Sequence, residues 1–92
     1  MSEEQVGFRV TGVVQGVGFR WWTRRMALHL GLRGAVRNQP DGSVEVHVRG
    51  TPAAVRLLKD ALQRGPSGAR VRAVKRISSG LPIPDDGFAL EG

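Results

Sequence analysis

The segment at residues 15–20 constrains this chain more than any other. An apolar run rich in β-branched residues, 6–14, ends there, and an apolar-periodic run begins at Phe19. A glycine-containing turn between a strand and a helix leaves the first backbone N–H groups of the helix unpaired and pointing one way. The helix dipole adds to their attraction for an anion, and Arg20 brings a planar guanidinium that matches phosphate oxygens. The sequence therefore predicts a site for a phosphoryl group.

Length and composition predict one small domain spanning residues 1–92. The chain has 92 residues, of which 40% are hydrophobic, enough for a single modest core. No apolar run is long enough to span a bilayer, and the polar, acidic N-terminus lacks the basic and apolar segments of a signal peptide. We therefore expect a cytoplasmic protein that does not bind a membrane.

The residue types that are missing narrow the chemistry. The chain has no cysteine, which excludes disulfides, thiolate metal sites and a cysteine nucleophile. Its two histidines, His29 and His47, stand far apart in sequence, so we expect no metal and no cofactor. The net charge of +6 has two interpretations, a solvated arginine-rich surface or attraction to phosphorylated molecules or nucleic acid.

The hydrophobic pattern and turn signals predict an alternation of strands and helices. The elements are a strand at 6–14, a helix at 19–30 ending at Gly31, strands at 33–38 and 43–49, a helix from Pro52 to about Arg64 capped by Thr51, a strand at 69–77, and a short candidate fifth strand at 88–90. The order β-α-β-β-α-β with a central hairpin predicts an α+β, ferredoxin-like sandwich: an antiparallel sheet with two helices on one face.

Periodicity also predicts which side chains are buried. In the strand at 43–49, Val44, Val46 and Val48 should face the core. Strict alternation then predicts that the residues between them face water: Ser43, Glu45, His47 and Arg49. The apolar stripe of the first helix comprises Phe19, Trp22, Met26 and Leu30. We expect Thr23 on the helix surface, Trp21 partly exposed, and Arg70, Arg72 and Arg76 on a solvated strand face.

Several segments resemble the acylphosphatase family. The stretch Val13-Val14-Gln15-Gly16-Val17-Gly18-Phe19-Arg20 resembles the signature loop of that family. Gly34-Ala35-Val36-Arg37-Asn38, followed by Pro40-Asp41-Gly42-Ser43-Val44-Glu45, resembles its second motif, and residues 65–71 and 87–88 fit its C-terminal half. The resemblance covers residues 6–90. Ala35 stands where many members carry a larger residue, and Trp21-Trp22 is bulkier than the usual pair.

The resemblance implies the fold predicted above and the hydrolysis of acyl phosphates to a carboxylate and inorganic phosphate, without a metal or cofactor. It implies that Arg20 holds the phosphate together with the backbone amides of Gln15, Gly16, Val17, Gly18, Phe19 and Arg20. It also implies that Asn38 positions the attacking water. Physical chemistry agrees, because the carboxylate leaving group is a weak base and the reaction needs a cradle of donors and a positioned water.

Two other functions compete with hydrolysis. The same element order occurs in RNA-recognition domains, which stack bases on aromatic side chains of the central strands. Here the strand at 43–49 has no aromatic residue and Phe8 is alone in the first strand, so nucleic acid is disfavoured as a partner. A regulatory domain that binds an anion without turnover is the other alternative. The expected partners are therefore a small acyl phosphate and inorganic phosphate, and the expected state is a monomer.

Overall fold

The computed structural model describes residues 2–79 and 83–91, and within them five strands alternate with two helices. The elements are β1 (Glu4–Val13), α1 (Phe19–His29), β2 (Arg33–Asn38), β3 (Val44–Gly50), α2 (Pro52–Arg64), β4 (Arg70–Ile77) and β5 (Phe88–Glu91). Thr51 caps α2 and Pro52 occupies its first turn, as the sequence predicts. Neither helix is long and apolar enough to cross a membrane.

The five strands form one sheet in the order β4-β1-β3-β2-β5. The pairs β1–β3, β1–β4 and β2–β3 are antiparallel, and both helices pack on the sheet. This confirms the predicted ferredoxin-like sandwich. The candidate fifth strand also forms, but it lies parallel to β2 at the sheet edge, so the complete sheet is mixed. The C-terminal end of β1 and the end of β2 lie near the start of α1, where the predicted site residues meet.

The core lies between the sheet and the helices. Alternate residues of β1 and β3 point into it, and all are at most 2% exposed: Val6, Phe8, Val10, Val44, Val46 and Val48. Helix α2 contributes Leu58 and Leu62, which are fully buried. Truncating one such leucine to alanine costs about 2–5 kcal/mol, a large share of the stability of a domain this small.

The stripe through which helix α1 packs overlaps the predicted one but is centred on smaller residues. Its buried residues are Phe19, Thr23 and Ala27, whereas Trp22, Met26 and Leu30 are partly buried at the flanks. The surface position predicted for Thr23 is therefore wrong, because its side chain is 0% exposed. Threonine and alanine are small, so they let the helix approach the sheet closely, and the bulkier residues fill the space on either side.

The sheet face opposite the helices is less solvated than strict alternation predicts. Ser43, Glu45 and His47 are 3%, 8% and 2% exposed, so their predicted exposure is wrong. Arg9 and Arg37 form ion pairs with Glu45, at 3.3 and 3.5 Å, and the Ser79 hydroxyl lies 3.3 Å from His47 Nδ1. These side chains cover the middle of β3 with polar groups, of which only the buried Arg37 Nε has no hydrogen-bond partner among the described residues.

Glu45 is the centre of this polar cluster. Its carboxylate also lies 3.2 Å from His47 Nε2. Burial by itself would raise the pKa of Glu45, but hydrogen bonds from His47 and Arg9 and the charge of Arg37 hold it below its ordinary value. The carboxylate is therefore charged at neutral pH and serves the fold, on the side of the sheet away from both helices.

Candidate active site

A pocket of about 150 Å³ lies at the N-terminal end of α1. Its walls come from the residue that follows β1, the 15–20 loop, the first turn of α1 and the last residue of β2. The lining residues are Val14, Gly16, Gly18, Phe19, Arg20, Trp21 and Asn38. Of the predicted site residues, the structure thus brings together Gly16, Gly18, Phe19, Arg20 and Asn38 around one space.

The backbone of the 15–20 loop depends on its two glycines. Gly16 and Gly18 have φ angles of 75° and 76°, in the left-handed region. A residue with a Cβ pays about 1–2 kcal/mol there, although no atom lies within 4 Å of where a Cβ would stand at either position. Glycine is therefore favoured at both positions by the positive φ angle of the backbone and not by crowding, because the space beside each Cα is open.

The start of α1 is an uncapped helix terminus. Gly18 is the N-cap residue, no side chain among the described residues caps the helix, and its first turn contains no acidic residue. Instead, the first turn carries the cation Arg20, which the helix dipole disfavours at this end. Free N–H groups and a cation in one place form a concentrated positive site that is suited to an anion.

Arg20 is half-buried and attached to the last strand. Its Nη1 donates a hydrogen bond of 3.0 Å to the backbone carbonyl of Glu91 in β5. One turn later, Arg24 Nε donates to the carbonyl of Phe88 at 3.1 Å. Two arginines of α1 therefore hold β5 against the helix, and the contact with Glu91 restricts the Arg20 guanidinium while leaving its other N–H donors for a ligand.

Asn38 is the last residue of β2, where it pairs with Val44 of β3. Its side-chain Oδ1 is buried and has no hydrogen-bond partner among the described residues. An unsatisfied buried polar atom costs about 1–3 kcal/mol, so this side chain is not placed for stability. The Thr23 hydroxyl is similarly buried and unpartnered within the described part of the chain, one turn along α1 from Arg20.

Gln15 makes a contact that the sequence analysis missed. Its side-chain Nε2 donates hydrogen bonds of 2.8 Å to the backbone carbonyls of both Gln39 and Ser43. Those residues flank the β2–β3 turn, where the Gln39 N–H also donates to the Ser43 carbonyl at 2.8 Å. Gln15 therefore joins the 15–20 loop to the turn that follows Asn38. A glutamine next to a glycine was the only sign of this in the sequence, and it does not reveal the partner.

The β2–β3 turn is itself held by Asp41. Its Oδ1 accepts hydrogen bonds from the Ser43 backbone N–H at 2.9 Å and from the Ser43 hydroxyl at 2.6 Å. These bonds lower the pKa of Asp41, which is therefore ionised at neutral pH. Asp41, Ser43 and Gln15 thus form a continuous brace from the turn to the 15–20 loop.

The side chains of the remaining candidates do not line the pocket. The Val17 side chain packs against the core, and His29 is exposed at the end of α1. Arg70, Arg72 and Arg76 are exposed, as expected. Among the described residues, no three His, Cys, Asp or Glu side chains are grouped so that they could hold a metal ion.

Comparison with known proteins gives the same family as the sequence motifs. The acylphosphatase family model matches residues 6–90. An acylphosphatase of Rhizobium etli is 50% identical over 89 residues, which cover 97% of this chain and 95% of that protein. The solved acylphosphatase of Coxiella burnetii has a TM-score of 0.84 at 32% identity, covering 96% of this chain and 92% of the other. That of Bacillus subtilis has a TM-score of 0.86 at 29% identity, covering 97% and 98%. The chain belongs to the acylphosphatase family.

Proposed function

We propose that this chain hydrolyses the carboxyl–phosphate bond of acyl phosphates, with the 15–20 loop and Arg20 binding the phosphoryl group and Asn38 positioning the water. The observation that carries the proposal is the pocket in which the uncapped start of α1, Arg20 and Asn38 meet. A phosphoryl group is the ligand that matches a cluster of N–H donors and a guanidinium.

The reaction requires little from the protein beyond positioning and charge. The water oxygen forms a bond to phosphorus while the bond from phosphorus to the carboxylate oxygen breaks, and one proton of the water passes to the bulk solvent. The electron pair of the broken bond leaves with the carboxylate, a weak base that does not need to be protonated. In the loose transition state negative charge lies on the peripheral phosphoryl oxygens. The loop N–H groups and Arg20 stabilise that charge.

Asn38 acts by orientation in this scheme. Its amide has both an acceptor and donors, so Oδ1 accepts a hydrogen bond from the water and directs an oxygen lone pair towards phosphorus. The lack of any protein partner for Oδ1 among the described residues supports this role, since the acceptor is left for a ligand. An amide is too weak a base to remove the proton, so its contribution is positional.

The nucleic-acid alternative gains no support from the fold. The aromatic ring of Phe8 lies in the core, where it is 2% exposed, and cannot stack on a base. His47, at the middle of the sheet face opposite the helices, is also buried, at 2% exposed. The platform that RNA-recognition domains use is therefore missing from these strands.

The test is benzoyl phosphate hydrolysis by the pure protein in excess EDTA. We expect turnover that survives the chelator and falls on the order of 10²-fold or more in Arg20→Ala and in Asn38→Ala. Arg25→Ala removes an exposed arginine from the same helix and should leave the rate unchanged. Circular dichroism would establish that each variant is folded.

Unchanged turnover in both site variants would refute the residue roles. A folded wild type that binds inorganic phosphate but hydrolyses nothing would refute the hydrolytic function and favour the regulatory anion-binding alternative.

A further inference from the structure

We propose that Trp21 forms an acyl subsite at the mouth of the pocket and favours acyl phosphates whose acyl group is aromatic. The inference rests on the proposed function, because it concerns the part of the substrate that the phosphate-binding residues do not contact. The contacts to the phosphoryl group are the same for every acyl phosphate, so any difference in binding between acyl groups must come from residues outside them.

The size of the pocket places the acyl group outside it. Pockets that enclose drug-sized ligands have volumes of about 300–1,000 Å³, whereas this one has about 150 Å³. Its polar lining, with Arg20 and Asn38, is suited to a phosphoryl group and one water. A substrate that is bound there extends its acyl group through the mouth and along the protein surface.

Trp21 is the lining side chain that offers apolar surface at this mouth. It is 62% exposed, whereas the other large apolar lining residues, Val14 and Phe19, are each 1% exposed. As the third residue of α1, Trp21 carries a Cα–Cβ bond that tilts towards the helix N-terminus, and therefore towards the pocket. An acyl group leaving the pocket can thus contact the indole ring.

The core does not require Trp21. The neighbouring Trp22 packs against the core, with its ring centroid 5.4 Å from that of Phe19. Trp21 has no such ring contact among the described residues. The Trp21 side chain is largely exposed beside a charged pocket, and offset or edge-to-face contacts with another aromatic ring are favourable beyond simple burial. A benzoyl group supplies such a ring, whereas an acetyl group supplies a single methyl.

The kinetic test compares acetyl phosphate with benzoyl phosphate in the wild type, Trp21→Ala and Trp21→Phe. We expect Trp21→Ala to raise the KM for benzoyl phosphate about 3- to 10-fold, with kcat nearly constant because the ring contact is the same in the ground and transition states. The KM for acetyl phosphate should stay the same, and Trp21→Phe should retain part of the preference. Leu57→Ala removes another exposed apolar side chain, which is 55% exposed on α2, and should leave the KM for both substrates unchanged.

A binding measurement separates this inference from the proposed function. Calorimetric titration with phenylphosphonate and with inorganic phosphate needs no turnover. We expect the wild type to bind phenylphosphonate more tightly than phosphate, and Trp21→Ala to lose that advantage while its phosphate affinity is retained. If the wild type hydrolyses both substrates and Trp21→Ala changes the KM for both by the same factor, the subsite is refuted and the function stands. If nothing is hydrolysed but Trp21 still governs phenylphosphonate binding, the function fails and the aromatic subsite stands.

Discussion

The two helices begin in opposite ways, although each starts beside the same sheet. Thr51 is the N-cap residue of helix α2: its backbone is extended, and its side-chain hydroxyl oxygen accepts a hydrogen bond from the Ala54 N–H at 3.2 Å. Gly18, in a left-handed conformation, is the N-cap residue of helix α1, which has no side-chain cap from the described residues and has the cation Arg20 in its first turn. One terminus is satisfied by its own sequence, and the other leaves its N–H groups for a ligand.

The difference lies in how the polar side chain before each helix is used. Thr51 bonds to its own helix, three residues away. Gln15, before α1, instead bonds to the carbonyls of Gln39 and Ser43 in another part of the chain. The start of α2 therefore contributes to stability. The loop before α1 is instead held by hydrogen bonds to the β2–β3 turn, and the first N–H groups of α1 remain available to a ligand. This contrast predicts that substitutions at the start of α1 change catalysis more than those at the start of α2.

Among residues whose side chains do not contact the substrate, Gln15 is the one whose replacement should lower kcat most. Gln15→Ala removes both hydrogen bonds to the β2–β3 turn, which frees the 15–20 loop to move relative to Asn38. Because displacement by a fraction of an ångström misaligns the water and the phosphoryl group, we expect kcat to fall between about 10- and 100-fold. Steady-state kinetics with benzoyl phosphate would measure it.

The matched control is Gln63→Ala, which removes an exposed glutamine from α2 and should leave kcat unchanged. A merely structural role for Gln15 would lower the melting temperature without changing kcat at a temperature where the variant is folded. That outcome would contradict the positioning role.

The sequence predicted the start of α2 fully and the start of α1 only in part. Thr51 and Pro52 act locally, so the pattern contains all the information about that terminus. The glycines of the 15–20 loop and Arg20 were likewise visible. The two partners of Gln15 were not, because they lie 24 and 28 residues away and become neighbours only when β1, β3 and β2 pair.

The errors in predicted burial have the same origin. Alternation correctly assigned Val44, Val46 and Val48 to the core, but it cannot reveal that Arg9, Arg37 and Ser79 cover Glu45 and His47 on the other face. Likewise, the pattern in α1 favoured large apolar residues over Thr23 and Ala27, whose small size is what permits close packing. Local patterns predict the element and its apolar side, whereas long-range packing decides which residues lose contact with water.

A second substitution tests the backbone at the start of α1. Gly18→Ala places a Cβ at a φ of 76°, and since no atom lies within 4 Å of that Cβ, the cost is the conformational one. We expect the free energy of unfolding to fall by about 1–2 kcal/mol, and inorganic phosphate to stabilise the variant less than the wild type. Urea unfolding with and without phosphate would measure both quantities.

Gly68→Ala is the matched control for that experiment. Gly68 is not in the left-handed region, and a Cβ there would lie 3.6 Å from the Val17 Cβ, an ordinary contact. The control should therefore keep the stabilisation by phosphate. If phosphate stabilises Gly18→Ala and Gly68→Ala equally, the prediction that the backbone at Gly18 matters for phosphate binding is contradicted.

The smallest effect is expected at the start of α2, and it should fall on stability alone. Thr51→Ala removes the hydrogen bond to the Ala54 N–H, at a cost of about 1 kcal/mol, or roughly 4–8 °C in Tm for a domain of this size. Thr51→Ser keeps the hydroxyl and should recover most of the loss. Since Thr51 lies outside the pocket, kcat and KM of the folded Thr51→Ala protein should match the wild type. A change in kcat or KM of the folded Thr51→Ala protein would contradict the division of roles between the two helices. It would mean that the stability of α2 and the chemistry at α1 are coupled through the sheet against which both helices pack.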